Sequence, residues 1–350
     1  MERLDFFGRL VGPGEPPYII AEIGSNHNGD MDLCRTMIDA AKSCGADAVK
    51  FQSWSRSSLV SKAEYERNSS YSDKKKHFGS LEQMVEKYQL TPQQHREVAD
   101  YCRKRDVTFL SSCFSPEEVD FLDELNVPAF KIASMDINNP PLLRYVASRS
   151  RAVILSTGMS SLGEIEQAVQ TLREGGSGPI ALLHCISIYP PAMESIHLHN
   201  IPMLRKAFDL PVGFSDHSIG TSIPLASIAL GACIIEKHFT LDKDLPGWDH
   251  AISADPKELA TISGEGRKIF LALGSSVRTV TNDELDKRKK FRRRAILARP
   301  MKAGETIHSN DLKFLRPGNG IRPDEINYVT GRIVKRDLNA DHELEWSDLV

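Results

Sequence analysis

No stretch of the 350 residues approaches the ~20 consecutive apolar positions that a bilayer-spanning helix requires. Acidic Glu2 and Asp5 stand near the start with no long apolar core behind them, so no secretory signal is expected and a cytoplasmic location is. Charge of one sign is missing too. Lys and Arg number 44 against 47 Asp and Glu, a formal net charge of −3, which argues against a nucleic-acid binder steered by a global basic field. The one basic run, Lys287-Arg288-Lys289-Lys290-Phe291-Arg292-Arg293-Arg294, reads as a solvated linker. Cys34, Cys44, Cys102, Cys113, Cys185 and Cys233 include no close pair, which leaves out a zinc knuckle or a redox motif and suits reduced, partly buried thiols. No Walker pattern occurs, and no glycine-rich turn follows the first apolar run, so a dinucleotide-binding doubly wound sheet is disfavoured.

What the chain does contain is a regular series of short apolar, β-branched runs at 18–23, 48–52, 107–112, 129–134, 152–157, 180–185, 212–217 and 233–239. Such runs suit strands buried on both faces. Helical patterns at 31–44, 92–105, 116–125, 140–149, 161–174, 221–231 and 256–273 lie between or after them, the fifth opening on a Ser161/Glu164 capping box. Eight strand–helix repeats predict an α/β fold, a (β/α)8 TIM barrel over residues 1–275. A linker at 276–290 and a compact domain of about 60 residues at 291–350, with a thin core, complete the expected organisation.

The active sites of such barrels gather at the C-terminal strand ends. Here almost every run ends in reactive groups: Glu22; Lys50 and Gln52; Ser111 and Ser112; Lys131 and Ser134; Ser156 and Thr157; His184; Ser215, Asp216 and His217; Glu236, Lys237 and His238. A single polar end could simply cap the next helix; eight together point to a site. Side chains two apart share a face, which pairs Lys50 with Gln52, Ser215 with His217 and Glu236 with His238, and turns Lys237 away. His217 and His238 end consecutive strands and can share one hard or borderline divalent ion with Glu22 or Glu236 and substrate oxygens; a hydrogen-bonded structural pair is the alternative. Lys50 and Lys131 with Ser112, Ser134, Ser156 and Ser215 suit a phosphate or carboxylate. A barrel lysine could equally form a Schiff base with a ketone. Arg316, before a Pro-Gly-Asn-Gly turn, reads on its own as an exposed cation.

The chain resembles the N-acetylneuraminate (sialic acid) synthase family, which includes legionaminic acid synthases, along nearly its whole length. The resemblance rests on Ala21-Glu22-Ile23-Gly24-Ser25-Asn26-His27-Asn28-Gly29, Gly45 to Gln52, Pro128 to Ser134, Leu155 to Met159, His184 to Pro190, Gly213 to Ser218, Glu236-Lys237-His238-Phe239-Thr240 and Arg316 to Gly320. It implies a barrel followed by a C-terminal SAF (antifreeze-like) domain, and condensation of phosphoenolpyruvate with an N-acylated mannosamine-type aldehyde, phosphate leaving by C–O cleavage. By the resemblance His217 and His238 bind Mn2+, with Mg2+ or Co2+ as alternatives. Lys50, Ser112, Lys131, Ser134, Ser156 and Ser215 hold phosphoenolpyruvate, and Glu22, Gln52, Tyr189, Glu236 and Asp249 face the sugar and the reacting centre. Arg316 reaches the partner's barrel in a domain-swapped homodimer and holds the N-acyl group.

Two positions depart from typical bacterial N-acetylneuraminate synthases: Ser187 stands where asparagine is common and Trp248 where proline is. A bulky apolar Trp248 suits a 6-deoxy sugar, so N-acetylmannosamine and a 2,4-diacetamido-6-deoxymannose analogue are both candidate substrates. The rival readings are a Schiff-base sialate-type aldolase using Lys131 or Lys50, a carbohydrate- or ice-binding protein, and another phosphoenolpyruvate-condensing synthase acting on a sugar phosphate. The last would need a second basic cluster, for which Lys74-Lys75-Lys76-His77 in the long loop 53–80 is the local candidate.

Overall fold

The β-branched runs become eight parallel strands that close on themselves. They are β1 (Tyr18–Gly24), β2 (Ala48–Ser53), β3 (Thr108–Cys113), β4 (Ala129–Ile132), β5 (Ala152–Ser156), β6 (Ile180–Cys185), β7 (Val212–Asp216) and β8 (Ile234–His238). Each pairs in parallel with its sequence neighbours, and β8 closes on β1. The computed structural model describes residues 3–70, 72–73, 76–77, 79–316 and 320–350. Lys74 and Lys75 of the basic loop, the side chains of Lys76 and His77, and Pro317, Gly318 and Asn319 behind Arg316 lie outside the described part of the structure.

Eight helices follow the strands: α1 (Met31–Ser43), α2 (Pro92–Lys104), α3 (Pro116–Glu124), α4 (Pro140–Ala147), α5 (Leu162–Glu174), α6 (Asn200–Phe208), α7 (Ser222–Ala229) and α8 (Pro256–Leu273). Of these eight, α6 is the one absent from the helical patterns of the sequence; Arg56–Leu59, Lys62–Arg67 and Leu81–Tyr88, helices between β2 and α2, are absent from them too. Helix α6 is nine residues long and carries Pro202 in its first turn, where a missing N–H costs no helical bond. The capping box expected at Ser161/Glu164 forms at the start of α5, and Asp255 with Glu258 makes another at α8.

Two apolar layers follow from the period-two alternation of the strands. Outward residues such as Ile19, Val49, Phe130, Val153 and Ile235 pack under the helices. Inward residues low in the barrel, Ile20, Leu110, Ile154, Leu183 and Ile234, pack against Leu4, Phe6 and Val11. Those three come from an N-terminal hairpin, Leu4–Phe6 with Arg9–Val11, whose apolar side chains join this inner cluster. One step further along each strand the inward position becomes polar or thiol: Glu22, Ser112, Ser156, Cys185 and Glu236.

The chain divides by contacts into Met1–Gly274 and Ser275–Val350. The second unit pairs Arg294–Leu297 with Leu312–Leu315 and adds isolated bridges around a core that includes Leu297, Ile307, Val334 and Leu344. The stretch expected as a linker contains a helix, Asn282–Phe291, with no buried residue. Its end signals make it, not an apolar face: Thr281 and Glu284 form a capping box, and Arg288, Lys289 and Lys290 of the basic run lie in its last turn, where the helix dipole favours cations.

Candidate active site

The polar inward ends line one cavity of about 430 Å3 at the C-terminal mouth of the barrel. Twelve of the residues expected there are brought together: Glu22, Lys50, Gln52, Ser112, Lys131, Ser134, Ser156, Tyr189, Ser215, His217, Glu236 and His238. Asp249 stands beside them, its Oδ2 at 3.7 Å from His238 Nδ1. Arg316 belongs to the second unit, its guanidinium 5.5 Å from the Phe291 ring centroid.

Other polar strand ends face the other way, one step out of phase. His184 stacks on Phe214 and bonds the Ile196 carbonyl at 2.6 Å. Ser111 joins Ser53 and His95, and Thr157 donates to the Leu183 carbonyl. Asp216 pairs with Lys237, which is turned away as expected. For His184, Ser111, Thr157 and Asp216 the strand-end reading is thus corrected: they sit between sheet and helices because alternation overrides their polarity.

Inside the cavity two lysines and two carboxylates form one buried network. Lys50 Nζ lies 2.7 Å from Glu22 Oε2, donates to Ser112 Oγ at 3.1 Å, and is 3.9 Å from Glu236 Oε1. Lys131 Nζ donates to Ser156 Oγ at 2.8 Å and stands 3.4 Å from Glu236 Oε1, which also accepts from Ser215 Oγ at 3.1 Å. The two acids differ sharply. Burial pushes the Glu22 carboxyl up to about 7; Lys50 opposes the rise and Glu236 adds to it. Burial acts on Glu236 in the same direction, but Lys131, Lys50 and the Ser215 hydroxyl outweigh it and hold that carboxyl below its ordinary value. Burial also lowers Lys131, whereas Lys50 is held above its ordinary value because Glu22 and Glu236 overcome the burial penalty. One carboxylate thus stays ionised while its neighbour titrates near neutrality.

The imidazoles of His217 and His238 converge, their ring centroids 5.5 Å apart, with Tyr189 at 3.9 Å from His217. His217 Nδ1 is occupied by the Ile186 carbonyl at 2.8 Å, so Nε2 is the ring nitrogen it could offer to a cation. His238 Nδ1 is buried and finds no hydrogen-bond partner among the described residues. A buried, unpartnered ring nitrogen beside a carboxylate fits a cation. Among the described residues no group of three or more His, Cys, Asp or Glu side chains is already arranged around one point.

Several wall residues lie outside the strands. Trp54 and Phe114 lie one residue past their strands and keep the inward phase of Gln52 and Ser112, while Leu59 comes from the short helix Arg56–Leu59, where strand alternation does not apply. Trp248 packs edge-on against Trp54 and Tyr88, with centroids 6.1 and 6.0 Å away. Trp54 Nε1 donates to Gln52 Oε1 and Gln52 Nε2 to Glu22 Oε1, each at 3.0 Å, so the aromatic wall orients the carboxylate. Cys185 lines the wall, 3.9 Å from His217 Nδ1. A Cβ at Gly158 would lie 2.3 Å from Ser187 Oγ and 2.8 Å from Ser134 Oγ, so any larger residue there would displace these two hydroxyls. Asn26 ties the loop after β1 to the Phe239 carbonyl and to Ser253, whose hydroxyl donates to the Asp249 carbonyl.

Sequence comparison decides the family. The NeuB family profile matches residues 37–278 and the SAF domain profile residues 292–350. The chain belongs to the NeuB family. Among relatives of this family, an uncharacterized protein of Methanocaldococcus jannaschii is 42% identical over 100% of this chain and 99% of its own. The N,N'-diacetyllegionaminic acid synthase of Campylobacter jejuni is 39% identical, over 92% of this chain and 97% of its own. Among solved structures, the N-acetylneuraminic acid (sialic acid) synthetase of Leptospira borgpetersenii, in complex with citrate, superposes with a TM-score of 0.74 at 34% identity, covering 82% of this chain and 95% of that one. The closed barrel and SAF domain expected from the sequence are thus those of this NeuB-family chain. Among the described residues no helix is long and apolar enough to cross a membrane.

Proposed function

We propose that this NeuB-family chain is a synthase that condenses phosphoenolpyruvate with 2,4-diacetamido-2,4,6-trideoxymannose, giving a legionaminic-type nine-carbon acid and phosphate. The observation that carries the choice of sugar is Trp248, held against Trp54 and Tyr88 as an apolar wall of the cavity. A wall of this kind receives a methyl group and offers few partners to a hydroxyl. The likeness to the N,N'-diacetyllegionaminic acid synthase of Campylobacter jejuni supports the same sugar.

In this reading Lys50 and Lys131, with Ser112, Ser134, Ser156 and Ser215, hold the phosphate and carboxylate of phosphoenolpyruvate by charge-assisted bonds. His217 and His238 hold a divalent ion, Mn2+ first among candidates, which when bound polarises the aldehyde oxygen of the open-chain sugar. The enol carbon attacks the aldehyde carbon, and water adds at the carbon bearing the phosphate. Glu22 takes one proton of that water, its raised carboxyl being matched to the task at neutral pH, and that proton ends on the former aldehyde oxygen, which becomes a hydroxyl; the water's other proton leaves with phosphate. The C–O bond to phosphate then breaks and the keto acid is released. Glu236, kept ionised, balances the two lysines. Met135, Met159, Ile188, Met193 and Ile219, which follow strand ends β4 to β7, are exposed, and in this reading the SAF domain of a second copy would cover them, bringing its Arg316 to the N-acyl group.

The test is phosphate release from phosphoenolpyruvate with N-acetylmannosamine, its 6-phosphate and the diacetamido trideoxy sugar in parallel. The expected outcome is a kcat/KM for the trideoxy sugar at least tenfold above the other two. A preference for either of the others overturns the assignment.

A further inference from the structure

One buried ion pair stands apart from the chemistry. Lys237 Nζ donates to Asp216 Oδ2 at 2.6 Å and to the Ser218 carbonyl at 2.5 Å, and Asp216 Oδ1 accepts from the Ser218 amide at 2.8 Å. Both side chains are 1% exposed. The other fully buried ion pairs among the described residues, those of Lys50 and Lys131 with Glu22 and Glu236, line the cavity. This one faces away from it. Desolvating two charges makes such a pair a poor source of stability, since well-packed apolar residues of similar size commonly do as well or better. Its placement suggests a different role. Asp216 and Ser218 flank His217, and Lys237 directly precedes His238. Asp216 and Lys237 are also register partners across β7 and β8. One ammonium therefore ties both neighbours of the first imidazole to the neighbour of the second. The carbonyl bond matters most, because it fixes the chain just past the end of β7, where the strand ladder no longer does.

We propose that the Lys237–Asp216 pair is a positioning clamp that sets the separation of His217 and His238, and through it the affinity of the site for a divalent cation. This inference rests on the reading that the two imidazoles hold such a cation. Outer groups that orient metal-binding side chains change affinity 10- to 100-fold when removed.

The test uses the full chain stripped of metal, titrated with Mn2+ by calorimetry and by the electron paramagnetic resonance signal of free Mn2+, beside thermal unfolding of the metal-free protein. The double variant Asp216→Leu/Lys237→Met should unfold within a few degrees of the parent yet bind Mn2+ at least tenfold more weakly. Asp216→Asn, which keeps an acceptor for the Ser218 amide and loses the charge, should weaken binding by at least threefold and serves if the double variant does not fold. His238→Ala separates the two ideas. If the parent does not bind Mn2+, or binds it no better than His238→Ala, the cation reading fails and the clamp with it. If the parent binds, His238→Ala does not, and the clamp variants match the parent, the clamp alone is overturned.

Discussion

The lower and upper halves of the barrel interior are built by the same eight strands and differ in what the inward positions carry. Below, Ile20, Leu110, Ile154, Leu183 and Ile234 meet the apolar residues of the N-terminal hairpin in a packed cluster. Above, the next inward positions bring Glu22, Lys50, Lys131 and Glu236 together, each at most 5% exposed. The lower layer adds stability by removing apolar surface from water. The upper layer gathers four ionisable groups in a low-dielectric site, an arrangement that costs stability and is repaid only by what it binds. The two halves should therefore respond to substitution in different observables.

The largest expected effect lies at Glu22. Its carboxyl is raised to about 7, so below that pH it is mostly protonated and cannot accept a proton, while above it the base form is populated. On the proposed reading kcat/KM rises about tenfold per pH unit from pH 5 to 6 and levels off above about 7. Glu22→Gln should flatten that limb and lower kcat by roughly 100- to 10,000-fold, the usual range for a general base. A variant that keeps the parent's acid limb would place the titrating base elsewhere. Next in size is Lys131→Met, which removes the donor to Ser156 and one cation beside Glu236. It should lower kcat/KM for phosphoenolpyruvate by roughly 100- to 1,000-fold, the typical effect of one preorganised donor at a reacting anion. A loss below fivefold would remove Lys131 from the anion cradle.

Much of this arrangement is legible in the sequence, for physical reasons. Continuous β-branched runs identify strands buried on both faces, and period-two alternation then predicts which strand-end residues point inward, as Lys50/Gln52 and Glu236/His238 do. The same rule, applied strictly, turns out His184 and Thr157, whose polarity alone suggests a site. It also places Cys185, two residues after inward Leu183, in the cavity wall, although thiols scattered among apolar residues read as core filler. Trp54 and Phe114 follow the same alternation, two residues after inward Gln52 and Ser112, but Trp248 is not legible, because it lies on a loop, where direction is set by tertiary packing. The Asn26 latch is a further case: its motif is visible, but its partners Phe239 and Ser253 are more than 200 residues away. Helix Asn282–Phe291 escapes a search for apolar faces because it has none and depends on its caps.

The smallest effect would sharpen the comparison most. Ile154 is fully buried in the lower cluster, and Ser156, the partner of Lys131, is the next inward residue on the same strand. Ile154→Val deletes one methyl group there, and such a deletion costs about 0.5–1.5 kcal/mol through lost burial and the small cavity left behind. The expected outcome is a lower denaturant midpoint with an unchanged kcat/KM for phosphoenolpyruvate, because the packed layer keeps the strand in register while a neighbouring side chain shrinks. Chemical denaturation and steady-state kinetics on the same preparation read both quantities. A kinetic defect comparable to that of Lys131→Met, at so small a cost in stability, would mean that the two layers are not separable. The apolar floor would then set the position of the anion cradle to within the width of a methyl group.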